Sequence, residues 1–225
     1  MDRGIGGAAV ELSDSFELYD TLEKLNLLEN SPSMWWPAYG TFEVVVGAIL
    51  TQNTSWNRVE TSLQNLRAAS LLSPEPLSKT PPESLMELIR PSGLFKAKAA
   101  NLIRLSRNLL DDFGDFESFA RDADREWLLR QKGIGPETAD SILCYACTRP
   151  VMVVDSYTAR LLNAFGYEFE SYDELQEWCE AGIRAAMDEE KLHEAFVRFH
   201  GMIVEYVKKS SKGKVVNVER ISSTI

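Results

Sequence analysis

The sequence predicts an all-α protein. Apolar residues recur at three- and four-residue spacing along most of the chain, and no alternating run flanked by turn residues suggests a β-hairpin. In order, Phe16, Leu18, Leu22, Leu25, Leu27 and Leu28 form one amphipathic stripe, with Ser13 or Asp14 placed to cap its start. Residues 42–50 are rich in β-branched side chains, but the apolar pattern continues at helical spacing through Trp56, Val59, Leu63 and Leu66. Two helices broken near Thr51–Ser55 are therefore expected. Four prolines within Ser73–Pro82 predict a loop. Further helices are expected at 83–90, 96–112, 124–130, 136–147, 156–165, 172–186 and 189–209, followed by a frayed tail.

The 225 residues make one large domain or two small ones. A chain of this size buries about 70% of its unfolded surface without help from a metal or disulfide. With 44% apolar and 26% charged residues, disordered and fibrous classes are excluded. No apolar run reaches the roughly 18 residues of a membrane span, and residues 1–10 lack the apolar core of a secretion signal. Cys144, Cys147 and Cys179 are too few, and odd in number, for a disulfide framework. The expectation is a cytoplasmic protein. A net charge of −10 argues against a polyanionic partner, but the charge is uneven. Residues 155–190 hold ten acids and two bases, residues 96–150 nine of each, and residues 191–225 seven bases and three acids. An acidic belt can coexist with a neutral-to-basic face.

Two local patterns carry chemistry. In Glu126–Asp140 a short helix runs into Gly133-Ile134-Gly135, and Pro136 opens the next helix at its favoured first position. Exposed backbone N–H groups there suit a phosphate oxygen, although ordinary helix–helix turns use glycines in the same way. The second pattern, Val151-Met-Val-Val-Asp155, delivers a carboxylate to a helix start. Asp155 is either a plain N-cap or an anion held ionised by backbone N–H groups where positive charge develops.

Together these segments resemble the helix–hairpin–helix DNA glycosylases of the endonuclease III superfamily. The likeness rests on Gly133-Ile-Gly-Pro-Glu-Thr-Ala-Asp140, on Asp155 eighteen residues after Glu137, on Thr41–Thr54 and on Phe95–Ile103, and it spans roughly residues 16–210. It implies a six-helix barrel at 40–150 carrying the hairpin motif at 124–147. A second helical lobe would come from 14–39 and 151–212, with 213–225 a tail. Asp155 would then lie between the lobes. Where bifunctional relatives carry an imine-forming lysine this chain has Glu137, so a water nucleophile without strand cleavage is implied. No iron–sulfur cluster is expected, because residues 191–225 contain no cysteine, and Cys144 with Cys147 supply only two ligands. Gly47 stands where adenine-mispair relatives carry a catalytic glutamate.

The combination resembles the 3-methyladenine branch of that superfamily. An alkylated purine is already cationic, so its removal needs an aromatic slot and one carboxylate rather than an acid. Trp35, Trp36, Pro37 and Trp56 are the expected slot, with one of the adjacent tryptophans packing inward. Trp127 and Trp178 are expected in the core. Asp155 is the expected catalytic group, and Glu137 and Lys208 the expected ion pair at the pocket rim. Gln52 or Asn53 would fill the gap left by a flipped base, while Lys132, Gly133, Ile134 and Gly135 would hold backbone phosphate. The carbonyls of Leu129, Gln131 and Ile134 are implied ligands of a structural Na+ or K+. His193 and His200 read as core or surface residues rather than ligands. The expected partner is double-stranded DNA containing a damaged base, engaged by a nucleoid-associated monomer without a membrane. Three rivals remain: a glycosylase for a mismatched or oxidised base, a non-catalytic DNA-binding module, and a lyase using Lys132 or Lys208.

Overall fold

A computed structural model describes residues 12–225, so the expectation made for residues 1–10 lies outside it. The chain forms two compact units. One comprises the segment up to Trp35 together with Pro150–Ile225, and the other is Trp36–Arg149.

The first segment is α1 (Ser15–Lys24), started by Asp14, whose side chain accepts from Glu17 N at 2.9 Å. Its stripe buries Leu18 and Leu22 in the core of its unit, each worth about 1.5–3 kcal/mol. The second unit begins with α2 (Phe42–Thr51) and α3 (Trp56–Ala68). Val44, Val45, Val46, Ile49 and Leu50 are all buried, so packing on every side overrides the strand preference of α2. Ser73–Pro82 is not a plain loop. Prolines at first-turn positions, where a missing N–H costs nothing, open two short helices, α4 (Pro74–Lys79) and α5 (Pro82–Leu88). A 3-10 turn at Arg90–Ser92 leads into the 19-residue α6 (Phe95–Phe113), which packs against α4 and α5.

The pattern missed α7 (Phe116–Asp122), capped by Asp115, which buries only Phe119. After α8 (Arg125–Arg130) the expected 136–147 helix is interrupted. It runs as α9 (Pro136–Ser141) and then widens into a π-turn at Ile142–Ala146. Phe113, Phe119 and Trp127 pack edge-to-face with centroids 5.1–5.6 Å apart, placing Trp127 in this core.

The other unit resumes with α10 (Ser156–Ala164), α11 (Tyr172–Ala186) and the 22-residue α12 (Glu189–Ser210). The expected frayed tail is corrected. Ser211–Lys212 (β1) pairs antiparallel with Val215–Val216 (β2), and α13 (Glu219–Ser222) follows. Gly213 at φ +62° makes the turn, and Ile221, fully buried, joins the same core as α1 and α12. Too few apolar residues lie between Lys209 and Ile225 to make a helical period, which is why the pattern did not reveal this segment.

One buried charge fixes the second unit. Lys98 on α6 is 2% exposed, and its ammonium donates to Leu50 O and Ser92 O, both at 2.8 Å. Burial pulls this amine down from its usual 10.5 to about 8. Between those values the unfolded chain binds the extra proton, so stability rises with pH. The penalty is full below about pH 8 and gone above about pH 10.5. Urea unfolding of the wild type, referenced to Lys98→Met, is expected to show stability increasing across that window. A flat difference would contradict a protonated Lys98 in this site.

Candidate functional site

Among the described residues no strand pairs with the short extended run before α10, and α11 side chains satisfy its backbone instead. Met152 N donates to Glu180 Oε1 at 2.8 Å, Gln176 Nε2 donates to Met152 O at 2.5 Å, and Val154 N faces Tyr172 OH at 3.5 Å. The run therefore delivers Asp155 to the N-cap of α10 in a fixed pose. Oδ1 accepts from Tyr157 N at 2.8 Å, Thr158 N at 3.0 Å and Thr158 Oγ1 at 3.2 Å, within a capping box. Oδ2 is not committed to the helix. It lies 3.6 Å from His200 Nε2, an ion-pair separation beyond hydrogen-bond range, and 14% of the side chain stays exposed. Burial pushes this carboxyl up, but the His200 imidazole and the two backbone N–H groups outweigh it and hold the group below the ordinary carboxylate value.

His200 sits on α12 beside Gly201. A Cβ on Gly201 would come within 2.6 Å of Trp35 Cγ, so the indole lies directly on the helix backbone. The Trp35 and His200 rings meet edge-to-face at 4.9 Å. Asp155, His200 and Trp35 thus form one row within their unit. Trp35 adopts φ +56°, a left-handed conformation rare for a bulky residue, and Ala38 does the same beyond Pro37. These backbone reversals send the adjacent tryptophans to different neighbours. Trp36 joins the second unit, 5.7 Å from Trp56 and 5.0 Å from Tyr145 by ring centroid, and its indole lies over Gly47. It is the more buried of the pair, while Trp35, Pro37 and Trp56 keep partial exposure.

In the hairpin, Ile134 is buried, whereas Lys132, Gly133, Gly135 and Glu137 face solvent. Gly133 needs φ +87°, and a Cβ there would collide with the Asn101 side-chain amide, so two constraints demand glycine. Gln52 Nε2 donates to Gly133 O at 2.9 Å and to Thr138 Oγ1 at 3.0 Å, tying the end of α2 to the hairpin. The neighbouring Asn53 is exposed at φ +54°. Of the two candidates for filling a vacated base position, Gln52 is engaged in these bonds and Asn53 is the more exposed. Lys208 Nζ lies 3.1 Å from Glu205 Oε1 on its own helix. The three cysteines are buried without disulfides, and burial pushes the Cys147 thiol up to about 12. Among the described residues no three His, Cys, Asp or Glu side chains gather at a metal-binding distance, and no helix is long and apolar enough to cross a membrane.

Three residues stand out in the structure that sequence reasoning did not single out for the site, although His200 is buried as its core reading expected. His200 and Tyr145 carry no local signal, since each matters through a neighbour distant in sequence. Leu94 did leave one: an apolar residue after Gly93 in a turn. It is 63% exposed at φ +46°, an unusual combination for leucine. The packing also separates the adjacent tryptophans energetically. Trp36→Ala is expected to cost about 3–5 kcal/mol in chemical denaturation, and Trp35→Ala distinctly less.

With this geometry in hand, the chain was compared with known proteins. The model of the HhH-GPD superfamily, described as base excision DNA repair proteins, matches residues 46–185. A Methanocaldococcus jannaschii protein with the provisional name DNA repair glycosylase is 38% identical over 210 residues, 90% of this chain and 93% of that one. Endonuclease III of Thermotoga maritima is 31% identical over 127 residues, 56% of this chain and 57% of its own length. The crystal structure of H. pylori 3-methyladenine DNA glycosylase bound to 1,N6-ethenoadenine superposes with a TM-score of 0.85 at 43% identity, over 88% of this chain and 99% of that one. A trapped endonuclease III–DNA covalent intermediate, at 18% identity and a TM-score of 0.72 over 92% of both chains, shares the all-α fold. By family model, relatives and fold alike, the chain belongs to the HhH-GPD superfamily of base excision DNA repair proteins.

Proposed function

We propose that this DNA glycosylase is monofunctional and removes cationic alkylated purines such as 3-methyladenine from duplex DNA. The observation that carries the reading is the pose of Asp155: one oxygen locked by a helix N-terminus, the other outside the cap at ion-pair range of His200, the group ionised at neutral pH. A carboxylate so held opposes the positive charge that grows on the sugar as the base departs. The C1′–N bond breaks with its electron pair passing to the purine, whose positive charge is thereby neutralised. Water oriented by Asp155 adds to C1′, and its proton is released to solvent through the carboxylate.

Two further features favour an already cationic base. Glu137 stands where an imine-forming lysine would be needed, and a carboxylate forms no imine. The face of Gly47, where a base-protonating acid would stand, is covered by the Trp36 indole. Trp35, Trp36, Pro37 and Trp56 supply aromatic and apolar surface, and a cation against tryptophan gains roughly 0.5–2 kcal/mol. The similarity to the H. pylori 3-methyladenine enzyme points the same way.

On the DNA side, the exposed backbone of Gly133 and Gly135 with Ile134 and Lys132 would hold phosphate. Gln52 or Asn53 would enter the stack, as would the exposed Leu94 as an apolar wedge. Carbonyls at the end of α8 fit a hard monovalent cation, because the last turn of a helix leaves such oxygens without helical partners. Leu129, Gln131 and Ile134 would hold the ion, which would add positive charge beside a phosphate. The enzyme would act as a monomer.

Methylated duplex incubated with the protein is expected to release free methylpurine, with strand breaks appearing only after alkali. Asp155→Asn is expected to lower release at least 100-fold while changing stability by no more than about 1–2 kcal/mol. Near-normal release by that variant would overturn the mechanism, and a borohydride-trapped DNA adduct would overturn the monofunctional assignment.

A further inference from the structure

The Phe95–Ile103 segment carried part of the family resemblance, yet the chemistry above gives it no task. The structure assigns one. We propose that the polar edge of α6, formed by Lys98, Asn101, Arg104 and Asn108, is a positioning rack that sets three separate loops as one surface for duplex DNA. This rests on the DNA-facing assignment of those loops made above.

The four residues lie at spacings of three, three and four, which keeps them within about a third of the helix circumference. Each grips a different piece of backbone or turn. Lys98 Nζ holds Leu50 O and Ser92 O at 2.8 Å. Leu50 lies two residues before Gln52 and Ser92 two residues before Leu94, so one ammonium bolts both turns to α6. Asn101 packs beneath Gly133, where no Cβ fits. Arg104 Nη2 donates to Asn101 Oδ1 at 2.5 Å and to Lys132 O at 3.0 Å, fixing the hairpin from below. Asn108 Nδ2 donates to Gln131 Oε1 at 2.7 Å, and Gln131 Nε2 returns to Trp127 O at 3.1 Å. Gln52 closes the circuit by donating to Gly133 O.

The energetic logic is preorganisation. A hairpin that offers backbone N–H groups to phosphate cannot compensate a misplacement by swinging a long side chain, so its position has to be set by what lies beneath it. Directional hydrogen bonds from Lys98 and Arg104 to three main-chain carbonyls, with Asn108 holding the Gln131 side chain, do this, whereas an apolar seat would let the loops slide. Asn101 Oδ1 and Lys132 O share the Arg104 guanidinium, so loss of Asn101 and loss of Arg104 remove the same constraint on the hairpin.

The test uses the full chain and a duplex containing a tetrahydrofuran abasic-site analogue, which needs no base removal. Asn101→Ala, Arg104→Ala, their double variant and Lys98→Met are assayed by fluorescence anisotropy well below each variant's unfolding midpoint. Each single variant is expected to weaken binding roughly ten-fold. The Asn101/Arg104 double variant is expected to match either single one rather than their product. On methylated duplex, KM is expected to rise far more than kcat falls. The slope of log Kd against log salt is expected to stay at the wild-type value, since no phosphate contact is removed. Unchanged affinity despite a lower unfolding midpoint would show a purely structural edge and overturn the proposal. So would an Arg104→Ala effect that cuts the salt slope by about one while Asn101→Ala does nothing, because Arg104 would then be a phosphate contact. Failure of the wild type to bind the duplex would instead overturn the underlying DNA-facing assignment.

Discussion

A carboxylate pinned at a helix mouth is the constraint on which the rest of this molecule depends. Asp155 Oδ1 takes two backbone N–H groups and a hydroxyl, and that commitment fixes where Oδ2 stands. The arrangement requires the preceding run to arrive in one pose, which α11 enforces by lending three side chains in place of a neighbouring strand. It also requires α12 to present His200 at ion-pair range and Gly201 as a seat for an indole. A stability device, the capping box, and the proposed chemical device, an anion held below the ordinary carboxylate value, are here the same side chain.

The acidic balance of the chain poses a problem that the proposed role of the hairpin would answer. A protein of net charge −10 cannot rely on a broad basic face to hold a polyanion. Exposed backbone amides at Gly133 and Gly135 present positive partial charge without any lysine or arginine, and such groups act at short range, whereas charge repulsion is screened beyond about 8–10 Å at ordinary ionic strength. The acids gather on α11 and around it, while the hairpin belongs to the other unit. Charge count alone is thus a poor guide to partner in this fold.

How much was legible in the sequence follows from the range of each interaction. The helices, the hairpin and Asp155 announce themselves through residues three or four apart, or through a cap next to its own helix. The α4 helix was hidden because proline reads as a breaker unless its first-turn position is known, and α7 because it buries only Phe119, whereas α5 was expected at 83–90 and starts one residue earlier, at Pro82. His200 lies 45 residues after Asp155, and nothing near it in the chain marks it. The tryptophan pair was half legible: adjacency required divergence, but only the positive φ of Trp35 decides which ring goes where. The Phe95–Ile103 segment could be recognised without being understood, since its polar edge acquires meaning only when Leu50, Ser92 and Lys132 are in place around it.

The closing segment of the chain has a reach beyond its size. Tyr206 OH on α12 donates to Asn217 O at 2.9 Å, Val216 packs against the α10–α12 core, and Ile221 is sealed inside it. Those few residues act as a clasp on the helix that carries His200 and Gly201. Loosening Val216, Asn217 or Ile221 therefore bears on the imidazole and indole beside Asp155, although none of these three residues approaches the carboxylate in sequence.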